Sequence, residues 1–291
     1  MEYVSFVILH YKDYSVTDTC VRSILAMEQQ ERIRIVIVDN DIQKKEKDRQ
    51  ELLQKYQRNS RIKVLQIKEN GGFSYANNRG YQYAREHFGK SYIVVLNNDI
   101  EFIQKDFPTH LYQAYQECKC HVLGPDIIRS GTGEHQNPLD ERLRTKEEAE
   151  ATIRKNRMAL KLYPLIYPLL YWNNRWMERT QTQERKKSKD YYKSKKEKIV
   201  PFGACLIFTP LFVKAEEKAF DPETQFYYEE YILACRCQKK GYRIVYDLSL
   251  KMHHESGKAT SRRFRGEYGR LKFMMERIIQ ACTIYCTMLK K

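Results

Sequence analysis

With 291 residues, 42% of them hydrophobic, the chain can bury a sizeable core and is long enough for one large α/β domain or two small ones. Lys and Arg number 52 against 37 Asp and Glu, a net charge of +15 that favours an anionic partner: nucleic acid, an anionic membrane surface or a phosphorylated small molecule. The eight cysteines form no CxxC pair and no Cys/His spacing suited to zinc, which argues against a zinc-stapled fold and fits a reduced, cytosolic compartment. Cys118/Cys120 and Cys235/Cys237 are CxC pairs, expected to be too close for an ordinary disulfide, and Cys282 and Cys286, one helical turn apart, read as packing.

Taken in order, Val4–Leu9 reads as a buried strand ending on His10-Tyr11, with no secretory leader ahead of it. A helix from about Ser15 or Thr17 to Met27 follows, with Thr17 or Asp18 as its cap. Ile33–Val38 is a second buried strand, ending on Asp39-Asn40-Asp41, and a charged helix spans Lys44 to Tyr56. Ile62–Ile67 is a third strand, running into Glu69-Asn70-Gly71-Gly72, and Tyr75–Phe88 is the next helix. The fourth strand, Ile93–Leu96, stops on Asn97-Asn98-Asp99. Continuous apolar, β-branched runs suit strands buried on both faces. The order β-α-β-α-β-α-β implies a parallel, doubly wound sheet with right-handed crossovers. All four strand ends then share one edge, where open α/β sheets bind ligands.

A helix over Phe107–Cys118 and a strand over Val122–Ile128 come next. From residue 130 to 198 the chain is rich in charge and poor in strand signal. Within it, Leu160–Trp176 is apolar and aromatic but too short, and too broken by Pro164 and Pro168, to span a bilayer, which takes ~20 apolar residues. Glu184–Lys198 adds eight basic and three acidic residues. An apolar, aromatic segment beside a basic one is the pattern of an interfacial membrane anchor; the alternative is a helical insertion packed on the protein's own core. Pro201–Phe208 reads as a strand entered through a small-residue turn, and Phe226–Lys239 as a helix beginning Tyr227-Tyr228-Glu229-Glu230. Tyr242–Tyr246 is a short strand followed by His253-His254, and Arg262–Lys291 is basic and helical.

Several of these residues carry chemistry. Asp39 and Asp99 both terminate parallel strands and face one crevice. A hard divalent cation takes carboxylate oxygens and substrate phosphates, so one Asp with a diphosphate makes a Mg²⁺ or Mn²⁺ site; the plain alternative is a turn. Gly71-Gly72 permits close backbone approach, and the helix start behind it offers N–H groups to an anion. Glu229-Glu230 either complements a helix dipole or supplies a general base. His253-His254 supplies a metal ligand or a phosphate hydrogen bond.

At these residues the sequence resembles glycosyltransferase family 2, most closely its rhamnosyltransferase-like and capsule or O-antigen-type members, over Val4 to about Asp106 and Val200 to about Arg270. The first strand with Asp39 is similar to the family's nucleotide-binding half. Asn70-Gly71-Gly72-Phe73 with Ala76-Asn77-Asn78-Arg79-Gly80 is similar to its N-x-G-F-x-x-x-N-N-x-G segment, and Leu96-Asn97-Asn98-Asp99 to its degenerate D-x-D motif. Phe220-Asp221, Glu229-Glu230, Gly241-Tyr242-Arg243 and His253-His254 follow the order F-D, E-D, G-Y-R, H-H. The resemblance implies a GT-A fold, an α/β doubly wound and mainly parallel sheet flanked by helices, with a basic helical insertion and a C-terminal helical region. On that reading residues 1–129 form the nucleotide-sugar-binding half, 130–198 a charged insertion at a membrane interface, 199–260 the acceptor and catalytic half, and 261–291 a basic amphipathic helix.

The resemblance also implies roles. His10, Tyr11 and Asp39 contact the nucleoside; Asn70, Asn77 and Asn78 frame the nucleotide pocket, with Asn98 nearby. Asp99, with His253 or His254, meets a divalent cation, Mn²⁺ or Mg²⁺, on the donor diphosphate, and Glu230 or its neighbour Glu229 is the base. The implied reaction is inverting transfer from a nucleotide-diphosphate sugar to a glycan or lipid-linked acceptor in cell-surface polysaccharide synthesis. The implied place is cytoplasmic and peripheral on the inner face of the plasma membrane, with no nucleic acid involved. Two departures stand out: the family's E-D-x-D reads Glu229-Glu230-Tyr231-Ile232, without the final acid, and Lys218-Ala219 replaces Gly-Gly before Phe-Asp. Rival readings are a basic nucleic-acid-binding protein, although RNP-like and helix-turn-helix signatures are missing, and a family member that binds donor without turnover.

Overall fold

The computed structural model describes residues 2–41, 46–69, 71–89, 91–169, 189–255 and 267–290. Strands β1 (Val4–His10), β2 (Ile33–Asp39), β3 (Ile62–Gln66) and β4 (Tyr92–Asn97) are parallel and lie in the order β3-β2-β1-β4. Helices α1 (Tyr14–Leu25), α2 (Glu46–Tyr56) and α3 (Gly72–His87) make the crossovers. Side chains alternate along a strand. Accordingly Phe6, Ile8, Ile35, Ile37, Val94 and Leu96 enter one core with Val21 and Ile24 of α1. Val7, Val36, Val38, Ile93 and Val95 enter another with Ala76 and Tyr81 of α3. Two cores, one on each face, are the reason these strands are apolar without a break.

Beyond β4 the sheet turns mixed. It continues with β8 (Cys205–Phe208), β6 (Val122–Arg129), β9 (Ile244–His254) and β5 (Ile100–Phe102), while β7 (Lys196–Glu197) pairs with β9. Strand β8 is antiparallel to β4, with Cys205 opposite Leu96. The turn ahead of β8 therefore comes to the same edge as Asn97-Asn98-Asp99, and Asn97 N donates to Ala204 O at 2.9 Å. The other helices are α4 (Phe107–Cys118), α5 (Lys146–Lys161), α6 (Pro210–Ala215), α7 (Glu229–Lys239) and α8 (Glu267–Lys290). A capping box, Thr145 with Glu148, starts α5. Among the described residues no helix is long and apolar enough to cross a membrane.

Local expectations change: the strand expected over Pro201–Phe208 begins at Cys205, the helix expected over Phe226–Lys239 begins at Glu229, and four further points differ. The cap of α1 is Asp13, which accepts from Val16 N, so Thr17 and Asp18 lie inside the helix. Asp99 opens a turn into the short strand β5, which pairs with the end of β9. Strand β9 runs eleven residues, so His253 and His254 lie within it rather than after it. Cys118 and Cys120 form a disulfide: Lys119 between them is left-handed (φ 46°), which brings the two Cα atoms to 5.2 Å. Asn70 and residues 170–188 of the insertion lie outside the described residues.

Candidate active site

The site is built where β1, β2, β4 and β9 end. His10 and Asp39 are paired in register on β1 and β2, and both are buried. Asp39 Oδ1 accepts from Asp41 N at 3.2 Å, which closes the turn after β2. Tyr11, next along, is half-buried. His10 Nδ1 lies 2.6 Å from Thr17 Oγ1, and the same hydroxyl accepts from Asn98 Nδ2 at 2.9 Å. All three residues are buried. Thr17 thus ties the ends of β1 and β4 to α1, a role its sequence position as a suspected cap concealed.

Asp99 behaves differently. Its Oδ1 lies 3.2 Å from His254 Nε2, with both side chains almost fully buried. The two are not aligned for a hydrogen bond, and Asp99 Oδ1 has no hydrogen-bond partner. A buried carboxylate oxygen in that state is costly unless something else meets it. Strand pairing explains the meeting: His254 is opposite Ile100, one residue past Asp99, and Glu255 N donates to Asp99 O at 2.9 Å. His253, the next residue on an alternating strand, pairs instead with Glu101 and is half-buried. Behind the ring, the Gln136 amide sits 2.7 Å from His254 Nδ1; with its nitrogen turned to that atom, its oxygen accepts from Arg129 Nε and Nη2 at 3.2 Å. Nothing in the sequence pointed to Gln136.

The Gly71–Gly80 segment does several jobs. Gly72 has φ +89°, and a Cβ there would stand 2.5 Å from Gln225 O. Phe73 N donates to that oxygen at 2.7 Å, so the helix N-terminus expected to meet an anion spends this donor on residues 221–225. Ser74 Oγ and Thr224 Oγ1 are 2.8 Å apart. Asn78 spans the Phe220 backbone, donating to its oxygen and accepting from its nitrogen, both at 2.9 Å. Gly80 lets α3 sit on the sheet, since a Cβ would be 2.3 Å from Val7 Cγ1. Asn77, one helical turn nearer the ligand edge on the same face, is fully buried, and both atoms of its amide lack a hydrogen-bond partner.

Glu229 and Glu230 open α7 after two consecutive left-handed residues, Tyr227 (φ 68°) and Tyr228 (φ 62°). Non-glycine residues held there cost of order 1–3 kcal/mol each, and such strain gathers at functional sites. Arg144 Nη1 donates to the Tyr228 hydroxyl at 2.7 Å, and Tyr231 donates to Asp140 at 2.9 Å, so the start of the insertion braces this turn. Glu229 is buried, and its Oε1 has no hydrogen-bond partner. Burial pushes its carboxyl up to about 8, with the neighbouring Glu230 charge adding to the shift. Glu230 is half-buried; burial raises its pKa as well, while N–H groups, including that of Gly203, pull it back. Gly203 N donates to Glu230 Oε1 at 3.2 Å, and a Cβ on Gly203 would come within 2.6 Å of that oxygen. Since Gly203-Ala204 also receives Asn97, two backbone contacts link Glu230 to the Asp99 turn.

The first half of the sheet is doubly wound, and buried carboxylate oxygens of Asp99 and Glu229 have no hydrogen-bond partner. The profile described as Glycosyl transferase family 2 matches residues 5–199, and the chain belongs to that family. The fold is GT-A. GalNAc-T7, solved with UDP, GalNAc and Mn²⁺, superposes with TM-score 0.56 at 14% identity, over 87% of this chain but only 44% of its own. TarS 1-349 of S. aureus superposes with TM-score 0.52 at 13% identity, over 96% of this chain and 70% of its own. Its complex with UDP-GlcNAc gives TM-score 0.53 at 13% identity, over 95% and 65%. No curated protein matches the sequence.

Proposed function

We propose that the protein is an inverting glycosyltransferase that moves a sugar from a nucleotide-diphosphate donor to a hydroxyl of a glycan or lipid-linked acceptor, in cell-surface polysaccharide synthesis at the inner face of the plasma membrane. One observation carries this reading: a family 2 sheet edge holds an orphaned carboxylate beside an imidazole, Asp99 with His254, and a backbone-anchored carboxylate, Glu230, within two contacts of it. The Asp–His pair fits Mn²⁺ or Mg²⁺ only in part. Among the described residues no three His, Cys, Asp or Glu converge, so donor phosphates and water complete any coordination shell. Asp99 and His254 would hold the cation, which supplies Lewis-acid stabilisation of the leaving diphosphate when bound.

The chain's own residues do the rest. Glu230, accessible and fixed by Gly203, takes the proton from the acceptor hydroxyl. The oxygen attacks the anomeric carbon opposite the phosphate, forming the new C–O bond as the old one breaks. Burial and the Glu230 charge favour the protonated form of Glu229, which limits the negative charge beside Glu230. Tyr11, His10 and Asp39 line the nucleoside end, and the unsatisfied Asn77 amide lies beneath it. Neighbours of the same fold carrying UDP and a UDP-sugar make uridine donors the first to try. A thermal-shift panel of nucleotide sugars, with and without Mn²⁺, tests this. One donor stabilises the wild type, more strongly with Mn²⁺, and Asp99→Ala removes the Mn²⁺ increment and on the order of 10³-fold of turnover. No shift with any donor, or full turnover by Asp99→Ala, overturns the reading.

A further inference from the structure

Four of the eight large hydrophobic side chains exposed among the described residues sit on one short stretch of chain. They are Met158 (65% exposed) and Leu162 (45%) at the end of α5, and Leu165 (81%) and Leu169 (72%) from the helical residues 163–169; Tyr268 of α8 lies on the other face, against Tyr163 and Tyr167. Scattered apolar residues need no explanation, but a clustered set does. The spacing 158, 162, 165, 169 is that of one helical face, carried across the turn at Leu162 that separates α5 from the helical residues 163–169.

The opposite face of this segment already has its partner. Tyr163 is buried against Leu271 and Met275 of α8, with Leu160 and Tyr167 beside it. Its hydroxyl donates to Tyr268 O at 2.6 Å. The exposed leucines are therefore not what attaches the segment to the fold. Within the segment itself the charges are of one sign, with Glu150 just ahead of it paired to Arg154. Residues 151–169 contain Arg154, Lys155, Arg157 and Lys161 and no Asp or Glu. Arg154, Lys155 and Lys161 are exposed, and on the same helical geometry they flank the stripe on both sides.

The geometry points to an anionic lipid bilayer as the occupant of this face. Leucines and a methionine enter the boundary between headgroups and acyl chains, and the flanking cations meet anionic headgroups. A second copy of the chain would bring like charges together around the same stripe. The inference rests on the proposed action at a membrane and names the surface that provides it. It also sets a geometry. Helix α5 starts beside Arg144, whose guanidinium braces the Tyr228 turn ahead of Glu229-Glu230. The stripe begins about 20 Å along the helix from that point, so the catalytic edge is held within one helix length of the lipid, in reach of an acceptor anchored there.

The test uses the full chain and vesicles of phosphatidylcholine with or without phosphatidylglycerol, read by co-sedimentation, together with donor hydrolysis in free solution. Wild-type protein binds the phosphatidylglycerol vesicles, and high salt weakens binding. Leu165→Glu with Leu169→Glu lowers the partition at least about tenfold. Lys155→Glu with Lys161→Glu, at solvent-facing positions that leave the packing alone, lowers it as well. Donor hydrolysis is unchanged in both, so loss of the catalytic reading and loss of the docking reading show up separately. Equal binding to both vesicle types, no effect of the leucine pair, or a wild-type dimer in sedimentation velocity that the leucine pair dissolves would each overturn the proposal.

Discussion

Two sets of buried polar groups differ in whether their hydrogen-bonding capacity is spent. In the first, Thr17 joins His10 to Asn98, and Asn78 grips the Phe220 backbone with both ends of its amide. In the second, Asp99 Oδ1, Glu229 Oε1 and both amide atoms of Asn77 are buried without hydrogen-bond partners. Both sets are polar, buried and close to strand ends, so burial and location do not separate them. Saturation does. A satisfied network fixes a shape, whereas a buried group left unsatisfied costs about 1–3 kcal/mol and persists where a ligand or proton completes it. On the proposed reading, Thr17 and Asn78 hold the scaffold, and the unsatisfied groups are where a donor or a proton acts.

The largest effect belongs to Glu230, the carboxylate that Gly203 N holds. Glu230→Gln removes the proton acceptor and lowers kcat by about 10²–10⁴-fold, with donor-induced thermal shift retained. Glu229→Gln keeps most of the turnover, because the group it replaces already carries a proton. Equal losses in the two variants would break the division between them and return the assignment of the base to an open choice.

Gly203→Ala tests the link between base and donor turn. The added Cβ meets the far end of the Glu230 side chain, which can move at little cost to folding. Melting temperature stays near that of the wild type while kcat falls about tenfold to a hundredfold, since a misplacement of an ångström is enough for that. A variant with unchanged kcat would show that the Gly203 contact does not position Glu230.

The first set answers in stability. Asn78→Ala loses two hydrogen bonds to the Phe220 backbone and leaves both backbone groups short of a partner, at about 2–3 kcal/mol. Donor KM in the folded fraction stays near the wild-type value. A selective rise in KM without loss of stability would move Asn78 from scaffold to site, where the resemblance to the family had put it.

This contrast also explains what could be read from the sequence. The four parallel strands were legible because burial on both faces leaves an unbroken apolar run, and Asp39 and Asp99 were legible because such runs stop at the ligand edge. Saturation was not legible, since it depends on partners far along the chain. Asn78 meets Phe220, 142 residues on, and Asn98 meets Thr17, 81 residues back. Asn77 and Asn78 look alike in sequence and differ only in which side of α3 they occupy. His253 and His254 are separated by strand alternation, and that needed β9 to extend further than its apolar signal. Gly203 showed itself only as a small-residue turn; its purpose is visible once Glu230 is seen to fill the space a Cβ would take.

The smallest effect is a pH dependence, and it follows from Glu229. Its folded pKa, about 8, lies above the ordinary 4.5 because burial and the Glu230 charge disfavour the ionised form. Below the ordinary value both folded and unfolded chains hold the proton, and the group is neutral with respect to folding. Above it the unfolded chain releases the proton while the folded chain keeps it. Stability therefore declines as pH rises, until the folded carboxyl also ionises near its own pKa. Glu230, raised in the same direction, adds to the slope and remains in a Glu229 variant. Glu229→Gln, which has no proton to hold, should change stability little at pH 5 and increase it by ~1–3 kcal/mol at pH 8, read as a widening gap between the two melting curves. Parallel curves from pH 5 to 8 would mean that Glu229 is already ionised in the folded protein, and that the proton shared by this pair rests on Glu230 instead.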